Sequence, residues 1–289
     1  MRPSEVLRRA SRYLEVHGVE SPRETAEVLL QHVLATDRAG IYSRPEGLSS
    51  AEARAFGRAL CRRCTGEPVQ HVTGRQQFRR LELEVRPGVF VPRPETEVLV
   101  DVALDAIRDL EGPVVVDVGT GTAAIALSIK KECPDARAHA TDLSPAAVEL
   151  ARSNAEQLGL DVAVVEGDLL APLPAELAGR IDLVVSNPPY VAPEDYDSLP
   201  AEVRADPELA LLGGMEVHRR LVEDSPRWLK PGGALVVEIG ADQGAEVAEI
   251  FERGGLEHVH VIPDLAGRDR VVTGRVVPSM YGPRHAEGR

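Results

Sequence analysis

Four consecutive residues carry the strongest chemical signal in the chain. Asn187-Pro188-Pro189-Tyr190 follows directly on the apolar run Val184-Val185-Ser186. Such a run predicts a buried strand, which sets Asn187 at its carboxyl end, where ligands bind in open α/β sheets. Two prolines fix the backbone and remove two N–H donors. What remains is a rigid set of acceptors, the Asn187 side-chain carbonyl and the Pro188 backbone carbonyl, with the Tyr190 ring beside them. An acceptor pair of this kind suits a planar –NH2 group. The competing reading is a proline-rich surface turn, which the preceding strand disfavours.

A second cluster lies upstream. Asp117-Val118-Gly119-Thr120-Gly121-Thr122-Ala123 follows the run Val114–Val118 and opens a helix. Gly119 and Gly121 permit a tight turn and close approach of backbone to a ligand, and the helix start offers unpaired N–H groups. Ala124 stands where a dinucleotide fingerprint would have its third glycine, and no Lys-Ser/Thr follows, so neither that fingerprint nor a phosphate loop is complete. Alone, the motif signals a nucleotide-like cofactor or a plain tight turn. Asp142 ends the next strand-like segment, about twenty residues on, where a carboxylate can accept from both ribose hydroxyls. It could instead cap a helix, but Ser144-Pro145 already supplies that cap. Asp168, after a third strand, is placed to meet an adenine amino group or to remain a solvated loop residue.

These residues need a scaffold. Strand-like segments near 114–118, 136–141, 162–166, 181–186, 234–239, 257–262 and 270–276 alternate with helical ones near 122–132, 145–157, 215–229 and 243–253. That alternation predicts a doubly wound α/β domain. Residues 1–74 read differently. Val6, Leu7, Ala10, Tyr13 and Leu14 recur at helical spacing, and Ser21-Pro22-Arg23-Glu24 and Ser49-Ser50-Ala51-Glu52 read as capping boxes that open further helices. Between the two parts, Leu81, Leu83 and Val85 alternate with Glu82 and Glu84, and a short extended run Val89-Phe90-Val91 follows Pro87-Gly88. The pair predicts a β-hairpin linker over 75–94, with a helix from about Glu95 to Leu110. The expected division is a helical domain at 1–74, the linker, a catalytic domain at 95–278 and a frayed tail at 279–289.

The motifs together resemble the S-adenosylmethionine-dependent N5-glutamine methyltransferases, the HemK-like enzymes that modify peptide chain release factors. The resemblance spans nearly the whole chain. It runs through Gly66–Gly74, Val91-Pro92-Arg93-Pro94-Glu95-Thr96-Glu97, Asp117–Thr122, Asn187–Tyr190, Val203–Pro207 and Arg268-Asp269-Arg270-Val271. It implies a class I seven-stranded methyltransferase domain behind a small all-α bundle that docks the protein substrate. It further implies that Gly119, Thr120, Gly121, Thr122 and Ala123 lie along the methionine part of S-adenosylmethionine, that Asp142 binds ribose, and that Asp168 and Leu169 lie by the adenine. The same resemblance implies that Asn187, Pro188, Pro189 and Tyr190 hold the substrate glutamine, with Asn187 also beside the cofactor and Arg93 and Glu97 as supporting residues. Ala123 departs from the glycine common in the family. A methyl at a helix start is expected to fit helical backbone angles.

Chemically, an amide nitrogen is a poor nucleophile because its lone pair is delocalised. Acceptors on both its hydrogens orient it and strengthen as it becomes positive. No metal cluster, Ser/His/Asp set or nucleophilic cysteine suggests other chemistry.

Composition bounds the alternatives. The 289 residues are 43% hydrophobic and 27% charged, an ordinary globular balance, and only 3% aromatic, which disfavours a ring-stacking nucleic-acid surface. Net charge is −13, but residues 1–80 carry fourteen arginines and no lysine against nine carboxylates, so the first part is basic and the remainder strongly acidic. A basic first part suits an acidic partner; a solvated arginine face is the simpler reading. Cys61, Cys64 and Cys133 are too few for a disulfide framework and fit a reducing cytoplasm, and the Cys61–Cys64 spacing is that of one helix face. The N-terminus lacks an apolar signal core, and no segment is apolar enough to span a membrane. A glutamine methyltransferase of a ribosomal protein shares every catalytic feature. An adenine-N6 nucleic-acid methyltransferase shares Asn-Pro-Pro-Tyr but would need a basic cleft, and a scaffold protein that kept only the fold would have no use for that motif.

Overall fold

The computed structural model describes residues 2–200 and 202–277; the tail expected at 279–289 lies outside them. The chain forms two units, one of Met1–Gln76, Val85–Pro87 and Leu199–Asp206, the other of Gln77–Glu84, Gly88–Ser198 and Pro207–Arg289. Neither is continuous in sequence.

The first unit is helical: α1 (Pro3–Val16), α2 (Pro22–Leu34), α3 (Arg38–Ser43), α4 (Ser50–Cys64) and α5 (Val69–Thr73). Leu7, Leu14, Leu29, Leu30, Ile41 and Phe56 close its core. Truncating a leucine so fully buried costs about 2–5 kcal/mol. The capping box at Ser49 forms as expected, Ser49 Oγ accepting from Glu52 N–H and Glu52 accepting from Ser49 N–H. The one expected at Ser21 does not form. Ser21 has φ 46° and no side-chain cap bond. A capping hydroxyl needs extended backbone to swing over the first turn, and left-handed Ser21 lacks it. Pro22 at the first helical position still starts α2. The short helices α3 and α5 are too brief to leave a periodic trace. Cys61 and Cys64 lie on α4, as their spacing suggested, with free thiols. Buried Arg63 on the same helix pairs with Glu202 from the later segment that joins this unit.

The hairpin pairs β1 (Arg75–Phe78) with β2 (Leu81–Glu84). The expected partner, Val89–Val91, is not a strand. Three residues between Gly88, at φ 88°, and Pro92 are too few to build a ladder beside prolines that cannot donate. Their apolar character has another cause: Val89 packs on Ala147 and Leu150.

The second unit continues with α6 (Thr96–Ile107), β3 (Val114–Val118), α7 (Ala124–Glu132), β4 (Arg137–Asp142), α8 (Pro145–Leu158), β5 (Val162–Glu166) and β6 (Ile181–Ser186). It closes with α9 (Glu208–Leu211), α10 (Glu216–Trp228), β7 (Leu229–Glu238), α11 (Gly244–Arg253), β8 (Leu256–Pro263) and β9 (Asp269–Val276). The seven-stranded sheet runs β5-β4-β3-β6-β7-β9-β8. β3 through β7 are parallel, and β9 lies antiparallel between β7 and β8. Side chains alternate between faces with the strand period of two. Val115, Leu183 and Val185 pack under α6, α7 and α8, while Val114, Val116 and Val184 pack under α10 and α11. Burial on both faces explains why these strands read as continuous apolar runs.

Candidate active site

Strand order reverses between β3 and β6, so the crevice at their carboxyl ends is the ligand position in a sheet of this type. Register brings the motifs level: Val118 pairs with both Thr141 and Ser186, Asp142 with Glu166, and Ser186 with Val237. The Ser186 hydroxyl donates to the Val118 carbonyl at 2.8 Å, locking the two switch-point strands.

The loop after β3 is built on left-handed backbone. Gly119, Gly121 and Ala123 have φ of 69°, 57° and 65°. A Cβ added at Gly119 or Gly121 would meet no atom within 4 Å, so the loop turns bare backbone toward open space. The amides of Gly119 and Thr120 donate to Thr141 O, and Asn154 Nδ2 donates to Thr122 O and Glu84 O, bracing the loop. Ala123 corrects the sequence reading. It precedes α7 in the left-handed region, not in helical geometry, so its methyl is carried where glycine is at ease.

Two carboxylates serve this loop. Asp117, wholly buried, accepts from Thr120 Oγ1 at 2.6 Å and from Ala126 N–H at 3.1 Å, and burial pushes its pKa up to about 7. Asp142 accepts from Gly121 N–H at 2.8 Å through one oxygen and from Ser144 N–H at 2.9 Å through the other. Burial raises its pKa, against the pull of those amides. Ser144 Oγ caps α8 at 3.4 Å, as expected, so Asp142 is divided between the glycine loop and the Ser144 amide. Asp168 stands after β5, half-exposed, with Oδ2 accepting from Arg220 at 2.6 Å. Leu169 takes φ 47°, and its carbonyl accepts from Thr141 Oγ1 at 2.8 Å.

At the end of β6, Asn187 Nδ2 donates to Thr96 Oγ1 at 3.2 Å. Thr96 opens α6 and is buried. Glu238, ending β7 beside Ser186, is also buried, and the neighbouring Thr96 and Asn187 side chains favour its charged form. Desolvation nevertheless pushes its pKa up to about 7. Tyr190 is packed in the same region, where burial first and the Glu238 charge second push its phenol up to about 12. Its carbonyl accepts from Gln243 Nε2 at 3.0 Å, and Gln243 Oε1 accepts from Gly240 N–H at 2.8 Å. Gly213 lies so close to Pro189 that an added Cβ would sit 2.2 Å from the Pro189 carbonyl oxygen.

Of the two supporting residues expected here, Glu97 accepts from Arg79 N–H at 3.0 Å, bracing the hairpin turn. The Arg93 guanidinium lies 5.4 Å over the Phe90 ring, and its charge acts on the Tyr190 phenol. Thr96, between them in the same motif, is the residue that reaches Asn187. Thr96, Glu238, Gln243 and Gly213 were not singled out in the sequence. Glu238 left a trace: it is the one charge ending the apolar run Ala234–Val237 on the strand beside Asn187.

This sheet order, with a glycine loop, a carboxylate and an Asn-Pro-Pro-Tyr turn at successive strand ends, defines a class I S-adenosylmethionine-dependent methyltransferase. Solved methyltransferases share the fold. One from Pyrococcus furiosus aligns with TM-score 0.51 and 22% identity, covering 68% of this chain and 90% of that one. The N-terminal domain of human METTL16, solved with SAH, aligns with TM-score 0.52 and 18% identity over 68% of this chain and 76% of that one. Family models for the PrmC N-terminal domain and the methyltransferase small domain match residues 5–74 and 81–202. Release factor glutamine methyltransferases of Moorella thermoacetica and Deinococcus radiodurans are each 42% identical, covering 92% and 95% of this chain and 95% and 99% of their own. The chain belongs to the release factor glutamine methyltransferase family. Its cofactor is S-adenosylmethionine, and the bare glycine backbone beside buried Asp117 and half-buried Asp142 fits that ligand. Among the described residues no helix is long and apolar enough to cross a membrane.

Proposed function

We propose that the Asn187–Tyr190 turn holds the side-chain amide of a glutamine in a peptide chain release factor while its nitrogen takes up a methyl group. Asn187 Nδ2 donates to Thr96, which supports the reading most directly, because engaging the NH2 leaves Oδ1 as the end of the side chain that can accept from a substrate. Oδ1 and the Pro188 carbonyl then accept the two amide hydrogens of the substrate. The glutamine carbonyl delocalises the nitrogen lone pair and holds the nitrogen planar; acceptors on both hydrogens oppose this as the nitrogen becomes positive, and their bonds tighten in the transition state. Tyr190, rigid between Gln243 and the buried carboxylate, walls the amide plane. S-adenosylmethionine supplies an electrophilic methyl on a sulfonium. Gly119, Thr120, Gly121, Thr122 and Ala123 would lie along its methionine part, Asp142 would accept from its ribose, and Asp168 and Leu169 would border its adenine. Fixing two reactants in one geometry supplies up to about 7–11 kcal/mol of barrier lowering. The methylated nitrogen gives up its proton afterwards, so no strong base is required.

The first unit is the docking element in this reading. It is basic where the rest of the chain is acidic, and its first helix exposes Arg8, Arg12, Tyr13 and Val16. A translation factor as substrate sets the reaction in the cytoplasm. A ribosomal-protein or nucleic-acid substrate is less favoured, since the relatives are named for release factors and the catalytic part is acidic. The deciding experiment offers labelled S-adenosylmethionine with release factor, ribosomal proteins and DNA in parallel, and locates label by peptide mass spectrometry. Label on a release-factor glutamine is expected; label only on a ribosomal protein or DNA would replace the substrate.

A further inference from the structure

Glu238 is 2% exposed, yet its Oε2 has no hydrogen-bond partner among the described residues. Its surroundings are one-sided. The Thr96 and Asn187 side chains both favour its charge from close by, and Thr96 Oγ1 is itself an acceptor for Asn187 Nδ2. A hydroxyl that accepts from Asn187 must send its own hydrogen elsewhere, and Glu238 Oε2 is a buried acceptor without a donor among the described residues. A relay through these three groups has one direction: Asn187 amide to Thr96 hydroxyl to Glu238 carboxylate.

We propose that Glu238, acting through Thr96, is a positioning residue for methyl transfer that forces Asn187 to present its carbonyl oxygen, and never its NH2, to the substrate. An amide side chain has two orientations differing only in which end is the donor. A carboxylate accepts and cannot donate, so it repels Oδ1 and holds NH2. In the flipped orientation Asn187 would offer N–H to the substrate's own N–H, and the amide could not be held. The buried charge also favours the nitrogen as it becomes positive. The ionisable groups facing the carboxylate are Arg270 from β9, Glu95 ahead of α6 and Tyr190 beyond β6, while His218 Nε2 from α10 donates to the Glu238 backbone carbonyl at 3.2 Å. Arg270 favours the ionised carboxylate; Glu95 and burial oppose it.

This inference rests on Asn187 being the substrate acceptor, so the test separates the two. The full-length enzyme with release factor is compared as wild type, N187A, E238Q, T96V and T96S. E238Q keeps shape and removes charge; T96V breaks the relay from its middle, and T96S restores the hydroxyl. E238Q and T96V are expected to lose at least tenfold in kcat, with KM for release factor and affinity for S-adenosylmethionine within threefold. T96S is expected within threefold of wild type. The acid limb of the wild-type kcat profile should be absent in E238Q. If E238Q does not fold, the T96V and T96S pair decides. N187A inactive with E238Q and T96V near wild type would overturn the positioning role alone. N187A near wild type would overturn the site reading beneath it. Loss in T96V without rescue by T96S would mark a packing role and also overturn the relay.

Discussion

The Gly121 amide donates to the Asp142 carboxylate at 2.8 Å, joining the loop after β3 to the end of β4 across 21 residues of sequence. The same carboxylate that would accept from ribose thus already holds the glycine loop in shape. Asp142→Ala should weaken S-adenosylmethionine binding by about 1.5–3 kcal/mol, the range for a hydrogen bond to a charged group. Calorimetry is the measurement, and unchanged affinity would remove Asp142 from the site.

Asn187→Ala should reduce kcat by about 10²–10³, as for loss of one preorganised polar group at a developing charge. Cofactor affinity should survive, because the loop after β3 keeps its own bracing. Single-turnover methyl transfer beside a binding isotherm checks both halves.

Ala123 carries a methyl at φ 65°. Left-handed geometry costs an ordinary residue about 1–2 kcal/mol, and alanine recovers about 0.4–1 kcal/mol through its stiffer unfolded chain. The Ala123 methyl is also fully buried in the core, where its loss costs about 0.8 kcal/mol, so Ala123→Gly is expected to change stability by less than about 1 kcal/mol and Ala123→Val to lower it by more than about 1 kcal/mol. Urea unfolding decides, with a glycine variant destabilised by well over about 1 kcal/mol counting against strain at this position.

Asp117 gives a pH dependence with a definite sign. Its folded pKa, about 7, lies above the ordinary 3.8 because burial disfavours the charge. Between those values the folded state binds more protons than the unfolded one, so stability falls as pH rises from about 4 to 7 and levels off above. Asp117→Asn should flatten that descent, since an amide keeps the shape without the charge. Unfolding free energies at several pH values would show it, and parallel curves for the two proteins would refute it.

Arg8 and Arg12 are exposed on α1 in the basic first unit. If that surface steers an acidic partner, replacing both by Glu should raise KM for release factor several-fold at low salt and leave kcat unchanged, with the gap closing as salt screens the charges. A KM that does not move would place docking elsewhere.

Read without its fold, the chain already declared its chemistry where local rules are strong. The apolar runs Val114–Val118 and Ile181–Ser186 announced buried parallel strands because both faces are covered, and the glycine loop, Asp142 and Asn187 followed from their places at strand ends. Ser49 and Ser144 capped as their neighbours required. Rules of that kind act over a few residues, so they survive without tertiary context. Tertiary structure decided whatever depends on residues far apart. It chose Thr96 as the partner of Asn187, because the first residue of α6 meets the end of β6 while Glu97, one helical step on, turns to the Arg79 amide. It turned Ala123 left-handed and Ser21 away from its cap, since the backbone there answers to strand and helix positions fixed elsewhere. It brought Glu238 beside Asn187 through the register of β7 on β6, a pairing of residues about fifty positions apart that no local pattern encodes.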